Sequence, residues 1–338
     1  MGHLARNFRH CVGGVLFTER GGKMSTILIT GAAGAVGSAL LSLLADKTDL
    51  RLIATDIREP ESLPKNAVFA KMDVRGDDPD VLIGQHRPDV VVHLASIVTP
   101  AKGSTRDFEY AVDVTGSKNV LAACITHNVG RLVVTSSGAA YGYHPENKQA
   151  LVESDPIQGN HEFAYSWHKR LVEEMLSEAR IKVPALEQVV LRVGTVLGAG
   201  LENQITAMFH KPRLLGLTGY DSPFVFIWNH DLAGILLRAT TDGPAGIFNV
   251  AGDGAMGLQD LAAAMGKSVR WVPAGLIKLA LRLAKPLGLS RYGPEQVRFL
   301  QYRPVLDNTA LKSSFGYTPE KTSAQVFELW WDAQKAAT

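Results

Sequence analysis

The sequence predicts an α/β protein: a doubly wound parallel sheet with a smaller C-terminal lobe. Three observations predict it. From Ser25 onward, short apolar runs alternate with helical patterns, and that alternation implies right-handed crossovers and parallel pairing. The runs are continuously apolar rather than alternating, as strands covered on both faces are. A glycine-rich turn joins the first strand to the first helix. After about residue 195 the rhythm changes to helices and short strands separated by Gly- and Pro-containing loops. The expected organisation is an extension over 1–24, a sheet domain over 25–195 and a second lobe over 196–338, some segments of which can rejoin the first sheet.

The elements follow in order. TILITG (26–31) is a buried strand, and SALLSLLAD continues it as a helix. LRLIATD (50–56), NAVFAKMD (66–73) and the valine-rich PDVVVHLAS (88–96) are the next three strands. DFEYAVDVTGSKNVLAACITHN (107–128) has helical spacing. RLVVTSS (131–137) is a strand, FAYSWHKRLVEEMLSEA (163–179) a helix, and LEQVVLRVG (186–194) a strand. In the second half FVFI (224–227) and GIFNVAG (246–252) read as strands, and HDLAGILLRAT and LQDLAAAMG as helices.

Composition narrows the function. A chain of 338 residues, 46% hydrophobic and 20% charged, is an ordinary globular protein able to bury a core. A formal net charge of +2 leaves no basic footprint for nucleic acid. Two cysteines, Cys11 and Cys124, exclude a disulfide framework and point to a reducing, cytoplasmic setting. No apolar run reaches the length of a membrane span. The segment before Met24 is basic, with Arg6, Arg9, Arg20 and Lys23 against Glu19, and lacks a secretory apolar core. It reads as an extension, with Met24 opening the folded chain. The histidines, among them His93, His161, His168, His210 and His230, show no ligand spacing, so no metal is expected. His168 is expected to face solvent.

The turn ITGAAGAVGSAL places Gly31, Gly34 and Gly37 between strand and helix. Glycines let the backbone approach a pyrophosphate, and the helix N-terminus offers free N–H groups and a positive dipole end. This is the Rossmann-type setting that the motif requires. Asp56, at the end of the second strand, can accept hydrogen bonds from the adenosine ribose and would repel a 2′-phosphate. NAD is favoured over NADP on that ground, although Arg58 nearby softens the preference.

Gly31, Gly34, Gly37, Asp56, HLAS, TSS and Tyr165-X-X-X-Lys169 occur in that order. Together they make the chain resemble the extended short-chain dehydrogenase/reductases, in the NAD-dependent epimerase/dehydratase branch, from about residue 25 to about residue 330. The resemblance implies a homodimer formed through the helices at 107–128 and 163–179, a small-molecule substrate, and NAD as cofactor. It implies a cofactor site of Gly31, Gly34, Ala35, Val36, Gly37, Asp56, Ile57, Asp73, Val74, Leu94, Ala95, Ser96 and Thr135, completed by Tyr165 and Lys169. Tyr165 would be the acid–base residue, Lys169 the cation that lowers its pKa and holds the nicotinamide ribose, and Ser137 the partner of the substrate oxygen. The chemistry is coherent by itself. Tyrosine ionises near pH 10, too high for an efficient base at neutral pH, and a cation one helical turn away favours the phenolate.

Three departures from the family pattern bear on function. Asp113 stands where the family usually has an Asn that holds a water-linked proton path; a helix-face Asp without a catalytic role is an equal alternative. Gly138 and Ala139 replace the Asp-Glu pair of dehydratases, which disfavours water elimination. LRVGTVLG puts Thr195 in the place of a substrate-binding Asn, and the usual Arg-Pro-Gly-Asp run is missing, although Arg303 could meet a substrate phosphate or carboxylate. Hydride transfer at a secondary alcohol or ketone carbon is the expected reaction. The alternatives are a nucleotide-sugar 4-epimerase that retains NAD, a dehydrogenase like the steroid- or flavonoid-reducing members, and a non-catalytic dinucleotide sensor. The segment WVPAGLIKLALRLAKPLGL (271–289), apolar with interleaved cations, reads as a substrate-lobe helix with its charges in water, or as an element that touches a membrane surface or closes over an apolar substrate.

Overall fold

The computed structural model describes residues 24–101, 103–290 and 293–337. Of the expected extension over 1–24, residues 1–23 lie outside the described residues. The first half runs β1 (Ser25–Thr30), α1 (Ala35–Leu44), β2 (Leu50–Asp56), β3 (Ala67–Lys71), α2 (Asp78–His86), β4 (Val90–His93), α3 (Arg106–Tyr110), α4 (Gly116–Thr126), β5 (Arg131–Ser137), α5 (Ala164–Lys182) and β6 (Glu187–Val193). The second half runs β7 (Thr195–Leu197), α6 (Thr206–Phe209), β8 (Arg213–Leu217), β9 (Phe226–Trp228), α7 (Asn229–Thr240), β10 (Gly246–Val250), α8 (Leu258–Ala264), β11 (Ser268–Val272), α9 (Ala274–Ala284), α10 (Gln296–Gln301), α11 (Thr309–Ser313) and α12 (Ser323–Ala337).

Seven strands form one parallel sheet in the order β10-β6-β5-β4-β1-β2-β3. The chain order reverses between β1 and β4, and open parallel sheets bind ligands at that point, beyond the C-terminal strand ends. Both faces are covered, as the apolar strands require. Leu40, Leu41 and Leu44 of α1 and Leu232, Ile235 and Leu236 of α7 pack on one face. Val120, Leu121 and Cys124 of α4 and Val172 and Leu176 of α5 pack on the other. β10, from the second half of the chain, pairs with β6 along its length. A separate core of Phe209, Phe224, Phe226, Phe327 and Trp330 holds β7, β9 and α12 together.

Some elements differ from the sequence expectation. The fourth strand stops at His93, because the N–H groups of Leu94 and Ala95 turn to the Thr30 hydroxyl, each at 3.2 Å. The helix expected over 107–128 is broken by a π-helical turn at Ala111–Thr115. Phe224, expected to open a strand, makes an isolated bridge to Met256 before β9 begins.

Candidate active site

The site forms where the loops after β1, β4 and β5 meet the start of α5. Gly31 adopts φ +69°, a left-handed conformation that favours glycine. A Cβ there would lie 2.7 Å from the Ala95 nitrogen, so the loop after β4 closes directly on the glycine turn. At Gly37 a Cβ would run into the Gly31 carbonyl, so only glycine lets α1 start this close to β1. Gly34 is the N-cap of α1 and no side chain caps the helix. The first amides, at Ala35, Val36 and Gly37, therefore lack intrahelical acceptors and point to the turn. This cradle fits a dinucleotide pyrophosphate.

Asp56 stands beside it. Its Oδ2 accepts from the Ala33 N–H at 3.1 Å and its Oδ1 from the Arg58 N–H at 3.2 Å. The carboxylate thus braces the glycine turn and keeps a lone pair on each oxygen for ribose hydroxyls. Ile57 next to it is 58% exposed. Asp73 is ion-paired with Arg75 at 2.6 Å, and that hydrogen bond holds its carboxyl below the usual range. The Val74 carbonyl accepts from Asn119 at 2.9 Å, and its side chain packs against Gly116.

α5 places Tyr165 and Lys169 one turn apart on one face. Lys169 is buried; its Nζ donates to the Thr135 carbonyl at 2.9 Å and lies 5.5 Å from the Tyr165 ring centroid. Ser137 closes β5, and its hydroxyl is among the groups that act on the Tyr165 phenol. Burial pushes the phenol pKa up, the Ser137 hydrogen bond draws it back, and the Asp113 charge adds to the rise. Burial pulls Lys169 down, while the Asp113 and Glu173 charges pull it up. In the protein alone Tyr165 is thus a proton donor beside a buried amine.

Asp113 is buried inside the π turn. Its Oδ1 accepts from the Ser96 hydroxyl at 2.9 Å and the Ile97 N–H at 2.8 Å, and its Oδ2 meets His168 Nδ1 at 3.0 Å. Burial works against the carboxylate, but the His168 hydrogen bond, the Lys169 charge and the Ile97 and Ser96 hydrogen bonds outweigh it, so Asp113 stays below the usual carboxylate range. His168 does not face solvent as expected. It is buried, edge-on to Tyr110 at 5.6 Å, because α5 turns this side toward Asp113. No alternation within YSWHK could reveal a partner on another helix.

The remaining expected residues fall around this centre. Thr195, on β7, is half-buried and its N–H bonds the Val225 carbonyl at 3.1 Å. Arg303 is buried with its guanidinium 3.7 Å from the Phe224 ring centroid and 5.3 Å from that of Phe299. Its Nη1 donates to the Ser222 carbonyl, while Nε and Nη2 have no partner among the described residues. Burial lowers its pKa to about 9, against the Tyr143 and Asp221 charges. Tyr143 connects the two regions. Its ring contacts Phe163, at the start of α5, at 4.9 Å and Phe299 at 5.3 Å.

Several contributing residues carry no sequence motif. Thr30 and Ser117 bracket His93, at 2.8 Å and 2.9 Å. Glu173, one turn beyond Lys169, forms a buried pair with Arg192 at 2.7 Å and accepts from the Ser136 hydroxyl. An ionisable residue inside each of the runs HLAS and LRVG, His93 and Arg192, was the available signal. Among the described residues no group of three or more His, Cys, Asp and Glu could hold a metal ion.

The fold and the cradle define a dinucleotide-binding α/β protein. Residues 27–251 match the model of the NAD-dependent epimerase/dehydratase family, and the chain belongs to that family as an NAD-dependent enzyme. An uncharacterised protein of Mycobacterium tuberculosis is 25% identical over 309 residues, covering 89% of this chain and 82% of that protein. The decarboxylating sterol-4-alpha-carboxylate 3-dehydrogenase of Schizosaccharomyces pombe is 30% identical over 190 residues, 55% of this chain and 54% of that one. Among solved structures, the Thermus thermophilus UDP-glucose 4-epimerase in complex with NAD superposes with a TM-score of 0.69 at 24% identity, covering 93% of this chain and 100% of the epimerase. The Thermotoga maritima UDP-glucose 4-epimerase with UDP-glucose gives 0.70 at 20%, covering 92% and 99%. At these identities the two structures bear on the fold.

Proposed function

We propose that the enzyme transfers hydride at a secondary alcohol or ketone carbon, with Tyr165 as the acid–base residue, Ser137 holding the reacting oxygen and Lys169 supporting both. The observation that carries this reading is the meeting of Ser137, Tyr165 and Lys169 beside the glycine cradle. NAD would lie along Gly31–Gly37, with Asp56 and Ile57 at the adenosine, Asp73 and Val74 at the adenine, and Leu94 to Ser96, Thr135 and Lys169 toward the nicotinamide end. Bound there, it supplies the hydride acceptor or donor. As a carbonyl gains alkoxide character, Tyr165 gives up its proton and Ser137 keeps the oxygen in line. Changing Tyr165→Phe is expected to lower turnover about 10²- to 10⁴-fold while NAD affinity stays within a few-fold. Near-normal turnover in a coupled NADH assay would defeat the assignment.

A second step concerns the substrate. Arg303 carries two buried nitrogens, Nε and Nη2, without partners among the described residues, and an unpaired buried donor is costly. We infer that the substrate brings an anionic group to Arg303. The names of the yeast dehydrogenase and the UDP-glucose epimerases both denote anionic substrates, which accords with this. Arg303→Met should raise KM at least about tenfold with a smaller change in kcat. An unchanged KM would leave Arg303 as packing only. Whether NAD is retained, as in an epimerase, or exchanged, as in a dehydrogenase, is read by native mass spectrometry without added cofactor.

We also infer a cytoplasmic homodimer joined through α3, α4 and α5, on which Phe108 and Tyr110 remain 43% and 42% exposed. Light scattering should then give twice the 36.5 kDa chain mass. A monomer at micromolar concentration would contradict it.

A further inference from the structure

α9 is an amphipathic helix, and nothing among the described residues covers its outer face. None of its residues is buried. Leu276, Leu279 and Leu283 are 58%, 55% and 60% exposed, and Leu287 in the next turn is 70% exposed. At 100° per residue Leu276, Leu279 and Leu283 fall within one narrow stripe, and Leu287 follows in the turn after the helix. Ile277, Leu281 and Ala284, on a different side, are half-buried against the body. The leucine stripe is therefore distinct from the side of the helix that is partly covered.

The charge around the stripe is one-sided. From Leu261 to Pro294 the sequence holds no Asp or Glu, yet it carries Lys267, Arg270, Lys278, Arg282, Lys285 and Arg291. Lys285 pairs with Glu295 at 3.1 Å. Lys278 and Arg282 are exposed and take part in no ion pair among the described residues. Trp271, just before the helix, is 39% exposed.

We propose that α9 is a peripheral docking surface for an anionic lipid bilayer, with Leu276, Leu279, Leu283 and Leu287 entering the interface and Lys278 and Arg282 meeting lipid phosphates. A leucine stripe with a cationic polar face is the physical signature of a helix lying in a membrane interface. No helix among the described residues is long and apolar enough to cross a membrane, so the association is with the surface. A second copy fits less well. A self-complementary contact would bring Lys278 and Arg282 of two chains together, with no carboxylate from this segment to answer them. α9 packs on α10, whose Phe299 stands over Arg303, so the docking face adjoins the pocket proposed for substrate. The proposal does not depend on the reaction assigned above.

The test is co-sedimentation of the full chain with phosphatidylcholine vesicles, with and without about 30 mol% phosphatidylglycerol. Sedimentation is expected with the anionic vesicles only, and is expected to weaken at about 0.5 M salt. L279E/L283E should lower it at least about tenfold, and K278E/R282E should remove the preference for phosphatidylglycerol. Both variants should keep NAD affinity, which shows that they fold. The proposal is overturned by absence of sedimentation, by equal binding to neutral vesicles, or by binding that survives L279E/L283E and so belongs to another basic segment. A loss of dimer mass in L279E/L283E without vesicle binding would assign the stripe to a subunit contact and overturn it equally.

Discussion

At the residue scale, His93 shows how burial fixes a charge state. Thr30 Oγ1 already accepts from Leu94 and Ala95, so its one proton goes to His93 Nδ1. His93 Nε2–H then donates to Ser117, whose hydroxyl donates to the Asp113 carbonyl at 2.6 Å. Both ring nitrogens are satisfied only in the neutral form. Burial, reinforced by the Lys169 charge and opposed by Asp113, lowers the His93 pKa to about 3 from 6.5. With the folded pKa below the unfolded one, the unfolded chain takes the proton first. The His93 contribution is therefore fully present above pH 6.5 and is lost as pH falls toward 3, by about 1.4 kcal/mol per pH unit. Urea denaturation at several pH values in this window should show a slope smaller by about one proton in His93→Gln than in the wild type. Equal slopes would mean that His93 protonates as readily folded as unfolded. Tyr165 and Lys169 were legible in the sequence because their relation is local, one helical turn. The Asp113–His168 and Thr30–His93 pairs were not, since their partners lie 55 and 63 residues apart and meet only through the sheet.

At the element scale, the strands were legible because a doubly covered sheet needs uninterrupted apolar runs, and β1, β2, β5 and β6 meet that need to within a residue. What hydrophobic periodicity missed were interruptions whose cause lies elsewhere in space. The π turn at Ala111–Thr115 inserts extra backbone into a pattern that still reads as one helix. Its effect is to bring Asp113 beneath the loop after β4, where the carboxylate receives Ser96 and Ile97. One element thereby positions Leu94 to Ile97, which close on Gly31. The 3.6-residue period of α9 was equally plain in the sequence, and so was its basic flank. Which face packs on the body could be read only once Ile277 and Leu281 were seen to turn inward and the leucine stripe outward.

At the scale of the whole molecule, α5 is held to the rest of the fold by a buried polar network rather than by apolar packing alone. Glu173 of α5 takes three hydrogen bonds from Arg192 of β6, at 3.1 Å, 2.9 Å and 2.7 Å, and one from Ser136 of β5. Arg192 also donates to the Tyr141 hydroxyl at 2.8 Å and the Glu153 carbonyl at 2.9 Å. Tyr141 continues to Asn249 of β10 at 2.8 Å, so the second half of the chain is tied to the same point. Removing one charge of such a pair leaves the other buried, whereas removing both is far milder. Glu173→Gln is therefore expected to destabilise by about 3–5 kcal/mol, and Glu173→Leu with Arg192→Met by distinctly less. The two readouts then separate. Stability recovers in the double variant, but the Glu173 charge that raises the Lys169 pKa is still gone. The pH–rate limb belonging to Lys169 should thus stay displaced to lower pH in both variants. A limb that returns with stability would show that Glu173 acts on Lys169 only by holding α5 in place.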